Sequence, residues 1–261
     1  RMAKCPPGRH DGGGASTGTL AMDNLLTRMR NSKLLVWGLV GALLVGLLIP
    51  LLLLVPRRNQ ASPPDSPEAH QAIVTDVIMS KDRASLIGSS ATRGNPHAPI
   101  VLFKFSDFEC PYCAVAAGNM KEFVGNHEND LLYVYKHFPL TQIHPEAMPS
   151  AKAAWAAGQQ GQFWLYHDGL FANQTRLGED LYVELAEAMG LDMEQFNRDR
   201  ASAEAEAAIQ EDLALAEQLQ LQGTPSFIMN DLLIPGGAPP QLFEEIFTQI
   251  NAAINSQREP Q

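Results

Sequence analysis

The sequence predicts an α/β domain with a block of helices inserted between its strands, preceded by one transmembrane helix. Three observations carry this expectation. Leu34–Val55 is a run of 22 residues without a charge. Two apolar stretches, Ile100–Phe105 and Leu131–His137, flank a segment that can form a helix. An Ala-, Glu-, Gln- and Leu-rich tract from Pro145 to Leu221 then gives way to two short strands and a closing amphipathic helix.

As a helix the first run would extend ~33 Å, enough to cross a hydrocarbon core of about 30 Å. It exceeds the apolar region of a cleavable leader and ends on Pro56, Arg57 and Arg58 rather than a small-residue cleavage site, so it reads as a retained anchor. Arg28, Arg30 and Lys33 crowd its leading flank. Residues 1–33 carry net charge +4 and the chain from Arg57 carries −14. The excess of basic residues places 1–33 in the cytoplasm and the large acidic part on the extracytoplasmic, periplasmic side of a cytoplasmic or inner membrane. Cys5 lies in the leading segment, across the membrane from the other cysteines, and no lipidation pattern surrounds it.

Composition narrows the function classes. The 261 residues are 45% hydrophobic and 18% charged, with 20 Gly and 18 Pro, which excludes collagen, coiled coil and full disorder. A net charge of −10 repels phosphate backbones, so no nucleic-acid partner is expected. Three cysteines are too few for a disulfide scaffold.

Residues 56–93 read as a tether with short elements. Pro63, Pro64 and Pro67 favour an extended course over Arg57–Glu68, and Ile73, Val74, Val77 and Ile78 recur at helical spacing after Ser66-Pro67, with a β-branched strand as the alternative. The compact domain is expected over 94–261. Within it, Ile100–Phe105 is a buried strand, Pro111–Val124 a helix with Pro111 in its first turn, and Leu131–His137 a second strand. The helical insertion occupies about 145–221 as four or five helices. Ser226–Asn230 and Leu232–Ile234 form a hairpin, and Pro239–Asn255 places Leu242, Ile246, Ile250 and Ile254 on one face.

The chemistry-bearing motif is Cys110-Pro111-Tyr112-Cys113. It falls where the strand meets the helix, so Cys110 faces free backbone N–H groups and the positive end of the helix dipole, which favours its thiolate. Cys113 projects from the same helix face and can close a short disulfide with Cys110. Cys110 is then the exposed nucleophile and Cys113 the resolving thiol. Zinc sites and inert disulfides use the same spacing, but no second C-x-x-C or closely spaced histidine pair follows Cys113, and a loop this short constrains the unfolded chain little. No metal is expected. Phe163, Trp164, Tyr166 and Phe171 read as core, with an apolar peptide groove as the alternative. His137, His144 and His167 receive no role.

Phe105-Ser106-Asp107-Phe108-Glu109-Cys110-Pro111-Tyr112-Cys113, preceded by Gly94-Asn95-Pro96-His97-Ala98-Pro99 and followed by Gly223-Thr224-Pro225-Ser226-Phe227, resembles the membrane-linked DsbA-like thiol:disulfide oxidoreductases. The resemblance covers about residues 94–255. It implies a thioredoxin fold with an inserted helical subdomain, catalysis by the Cys110–Cys113 pair without another cofactor, and a cis Pro225 opposite it, with the Thr224 backbone pairing to an extended substrate. It implies cysteine-containing exported proteins as substrates and a quinone-linked membrane thiol oxidase as the partner that restores the disulfide. One departure stands out: thioredoxin-like proteins often carry a buried acid six residues before the first cysteine, where this chain has Lys104. Pointing inward, Lys104 would stabilise thiolates and strengthen the oxidant, with Asp107 and Glu109 opposing it if close. Reaching the surface from a strand end, it would do neither. The alternatives are a reductase or isomerase of the same fold, for which Arg57–Thr92 is short of a dimerisation domain, a non-enzymatic peptide-binding or chaperone module, and a metallochaperone.

Overall fold

A computed structural model describes residues 64–258. The Leu34–Val55 run, Cys5 and the tether before Pro64 lie outside the described residues. Among the described residues no helix is long and apolar enough to cross a membrane.

Helix α1 (Pro67–Met79) begins where Ser66 caps it, the Ser66 hydroxyl accepting from the Ala69 N–H with proline in the first turn. Pro67 and Glu68 are therefore helical, which corrects the extended course expected up to Glu68. A short helix α2 (Arg83–Ile87) capped by Asp82 follows. The sheet is built from β1 (Thr92–Gly94), β2 (Ile100–Ser106), β3 (Leu131–His137), β4 (Ser226–Met229) and β5 (Leu232–Ile234), in the order β1-β3-β2-β4-β5. β2 and β3 run parallel, with Lys104 opposite Tyr135, and the other pairings are antiparallel. Helix α3 (Pro111–Asn126) is the crossover between β2 and β3.

The insertion consists of α4 (Ala147–Gln159), α5 (Phe163–Ala172), a 3-10 turn (Gln174–Arg176), α6 (Glu179–Ala188), α7 (Met193–Arg200) and α8 (Ala203–Gln218). After it come the β4–β5 hairpin and α9 (Pro240–Arg258). Asn230 turns the hairpin at φ 56, and its side-chain oxygen accepts from Val101 N–H at 2.9 Å, tying the turn to β2.

Successive side chains of a strand point to opposite faces, and here both faces are covered. Ile100 and Leu102 pack with Met120 and Phe123 of α3 and Phe243 and Phe247 of α9. Val101, Phe103 and Phe105 pack on the other side with Val74 and Ile78 of α1 and Leu215 from α8. Helix α1 thus shares the core of the sheet. A third cluster fills the insertion around Tyr166, Tyr182 and Phe196 and takes in Phe108 and Tyr135. Phe163 and Tyr166 are buried in it and Trp164 and Phe171 half-buried against it, so the aromatic group is core.

Candidate redox site

The site forms at the carboxyl end of β2. Asp107 folds the loop after the strand: its side-chain oxygens accept from Glu109 N–H at 2.8 Å, Leu140 N–H at 2.9 Å and His144 Nδ1 at 2.7 Å. Glu109 accepts from Glu146 N–H at 2.6 Å. Both carboxylates are engaged by donors of the surrounding loops, and His144 serves to hold Asp107. Cys110 then occupies the N-cap of α3 in extended conformation with Pro111 at the first helical position. The Cys110 carbonyl accepts from Cys113 N–H at 3.0 Å, closing the first turn.

The Thr224–Pro225 peptide is cis. It faces the cysteines: the Cys110 Sγ lies 3.4 Å from the Thr224 carbonyl oxygen. Both cysteines are free thiols and both are buried, Cys110 at 4% exposure and Cys113 at 0%. The expectation of an exposed Cys110 is corrected in this respect. The Thr224 loop lies against its sulfur, while Gln174 binds the carbonyls on either side of Glu109. Tyr112, by contrast, is 73% exposed beside it.

Electrostatics separates the two thiols. A hydrogen bond from Cys113, the Thr224 side chain and the N–H groups of Cys113 and Tyr112 bring the Cys110 thiol down to about 5, against the pull of burial. Burial pushes Cys113 far up, and the hydrogen bond it gives to Cys110 adds to the rise. The nucleophile is ionised at neutral pH and its neighbour is protonated.

Lys104 is wholly buried and points at the pair. Its Nζ donates to the Cys113 carbonyl at 3.3 Å and lies 5.0 Å and 5.9 Å from the ring centres of Phe171 and Tyr135. Burial pulls its pKa down to about 8, resisted by Cys113, Cys110 and Asp168. The surface-reaching course is ruled out for this side chain because β2 is covered on both faces along all of its length. His137 and His167 are buried as well, held neutral by burial at about 3 and about 4, and each leaves one ring nitrogen without a partner. Among the described residues no cluster of His, Cys, Asp and Glu could hold a metal ion.

Two residues escaped the sequence reading. Gln174 Nε2, from the 3-10 turn, donates to the Phe108 carbonyl at 2.7 Å and the Cys110 carbonyl at 2.9 Å, fastening the insertion to the cysteine loop. Nothing in a lone glutamine 64 residues away signals this. Gly236 passes under the cis loop so closely that a Cβ there would sit 1.9 Å from the Pro225 carbonyl oxygen. The Gly236-Gly237 pair after Pro235 was the available signal.

A nucleophilic cysteine at a helix amino terminus, a resolving cysteine one turn in and a cis proline facing them on a five-stranded mixed sheet define a dithiol–disulfide exchange protein. The chain belongs to the thioredoxin family, whose model, described as Thioredoxin, matches residues 87–252. A thioredoxin-like oxidoreductase from Silicibacter pomeroyi is 30% identical, with a TM-score of 0.61 over 66% of this chain and 99% of that one. The thiol-disulfide exchange protein alpha-DsbA2 from Wolbachia pipientis, 18% identical, shares the fold with a TM-score of 0.64 over 71% of this chain and 100% of that one. Among curated relatives, the Na(+)/H(+) antiporter NhaA 1 of Salinispora arenicola is 39% identical over 138 residues, which is 53% of this chain and 21% of that protein. The chain spans about a fifth of the length of the curated relatives it matches.

Proposed function

We propose that this chain is a thiol oxidase, tethered through Leu34–Val55 and acting outside the cytoplasm, that introduces disulfides into cysteine-containing exported proteins. The carrying observation is the buried Lys104 cation beside a cysteine pair whose outer thiol is already ionised. Positive charge there favours the thiolate-bearing reduced form over the uncharged disulfide, and a couple whose reduced form is stabilised oxidises others.

In the oxidised state a substrate thiolate attacks the Cys110 Sγ. The Cys110–Cys113 bond breaks, Cys113 departs with the electron pair and takes up a proton, and a mixed disulfide remains on Cys110. A second substrate thiolate attacks the substrate sulfur of that bond, and Cys110 leaves as a thiolate favoured by the helix amino terminus. Two substrate thiols have lost two electrons and the cysteine pair has gained them. Thr224 and Pro225 offer the incoming segment an extended backbone beside the sulfurs, and Pro111 and Tyr112 shape the turn. A quinone-linked membrane thiol oxidase would restore the disulfide. Ion transport is not carried over from the antiporter relatives.

The test mixes the oxidised full chain with a reduced peptide bearing two cysteines. One equivalent of peptide disulfide should form, and Cys110→Ser should abolish it. Undiminished function in Cys110→Ser would leave the peptide-binding module as the correct reading.

A further inference from the structure

Beside the cysteines a groove of about 1000 Å³ opens between the start of α1 and the β4–β5 hairpin. It begins at Thr224 and Pro225, the loop whose carbonyl lies 3.4 Å from the Cys110 sulfur. Leu221, Pro225, Leu233 and Ile234 give it an apolar floor. Its outer wall is residues 64–71, which precede the stretch matched by the family model. The wall is rigidly placed: the Gln71 side chain donates to the Asp231 carbonyl at 2.7 Å and accepts from Leu233 N–H at 2.9 Å, and His70 Nε2 meets the Leu219 carbonyl at 2.8 Å.

The charge on this wall is of one sign. Asp65 and Glu68 line the groove and are exposed, and no lysine or arginine is among its lining residues. The groove reaches the loop that touches the reacting sulfur, is apolar at its base and carries two acids on its outer wall. Resting on the exchange reading above, we propose that it receives the chain segment flanking the substrate cysteine, and that Asp65 and Glu68 select substrates carrying a lysine or arginine in that segment over those carrying an acid. The wall ahead of the family domain is thereby a specificity element.

The experiment uses the oxidised full chain and two sets of reduced dicysteine peptides with an apolar flank, identical except that one residue of the flank is arginine in one set and glutamate in the other, moved in turn through each flank position. Exposed ion pairs are individually weak, so at best-placed position the arginine peptide should be oxidised about threefold to tenfold faster at low substrate, through KM rather than kcat. At ~1 M salt the ratio should fall to about one. In the double variant Asp65→Lys with Glu68→Lys the ratio within that variant should invert. Because each comparison is a ratio inside one protein, a change in folding or in overall rate does not enter it. Equal rates for the two sets at every position, or an arginine preference that survives the charge reversal or the salt, would overturn the proposal while leaving the oxidase reading intact. Failure of the wild type to oxidise dithiothreitol as well as every peptide would instead bring down the exchange reading and this proposal with it.

Discussion

Replacing Lys104 by methionine removes a charge and keeps most of an unbranched stem between Phe171 and Tyr135. The ammonium titrates at about 8 in the fold, well below the ordinary value of 10.5, because it is buried. Its protonation is therefore worth more in the unfolded chain, and at pH 7 the difference costs the native state about 3 kcal/mol. That cost is fully present below about pH 8 and fades as the pH rises towards 10.5. Lys104→Met should thus be more stable than the parent by about 3 kcal/mol at pH 7, and the gain should be larger in the disulfide form, where no thiolate faces the cation. The same change should weaken the oxidant. A unit charge acting across on the order of 8 Å at an effective dielectric of ~20 contributes about 2 kcal/mol, which corresponds to a fall of about 40 mV for a two-electron couple. Urea unfolding of both redox forms, with a glutathione equilibrium, measures both quantities. A variant that is less stable and whose potential is unchanged or raised would refute the account of Lys104.

Alkylation of the reduced chain by iodoacetamide should rise to half its plateau at about pH 5 and stay flat through neutrality, because Cys110 is the thiolate; the stabilisation this gives the reduced form is complete above the ordinary thiol value of about 8.5, shrinks as the pH falls below it and is gone below about pH 5. A rate still climbing through pH 8.5, the behaviour of an ordinary thiol at about that pKa, would contradict the site geometry. Gly236→Ala puts a methyl group 1.9 Å from the Pro225 carbonyl oxygen, so chemical denaturation should show a loss of about 1–3 kcal/mol together with slower exchange, whereas wild-type stability and rate would mean that the loop tolerates displacement. Lys136→Met leaves Asp212 without the ammonium 2.8 Å away, in a site where both side chains are nearly inaccessible, and should cost about 3–5 kcal/mol by the same measurement; a loss below about 1 kcal/mol would show that the His137 N–H and Ser90 hydroxyl suffice for the carboxylate.

What the sequence exposed and what it concealed divide along physical lines. Ile100–Phe105 and Leu131–His137 were legible because strands covered on both faces are continuous apolar runs. The insertion was legible as four or five helices from Gly158, Gly161, Gly178 and Gly190, although no glycine marks the break between α7 and α8, and the hairpin from the tight turn near Asn230-Asp231. Strand β1 was not: three residues, Thr92–Gly94, on a sheet edge carry no periodicity. Helix α2, five residues long, is too short for a hydrophobic repeat. At the site, the cysteine pair and its place at a helix start could be read directly, as could the Gly-Thr-Pro loop. The depth of Cys110 could not, since it depends on Thr224, which meets it only in the folded sheet. The direction of Lys104 was recoverable in principle: an uninterrupted apolar strand has no dry face and wet face, so a lysine within it must be buried.

The most direct test of the central claim is the redox equilibrium of the full chain with glutathione. A strongly oxidising couple, at or above about −180 mV and towards about −120 mV, is the predicted result. A value near about −270 mV, where the reduced form has no special stabilisation, would contradict it and make the same fold a reductant.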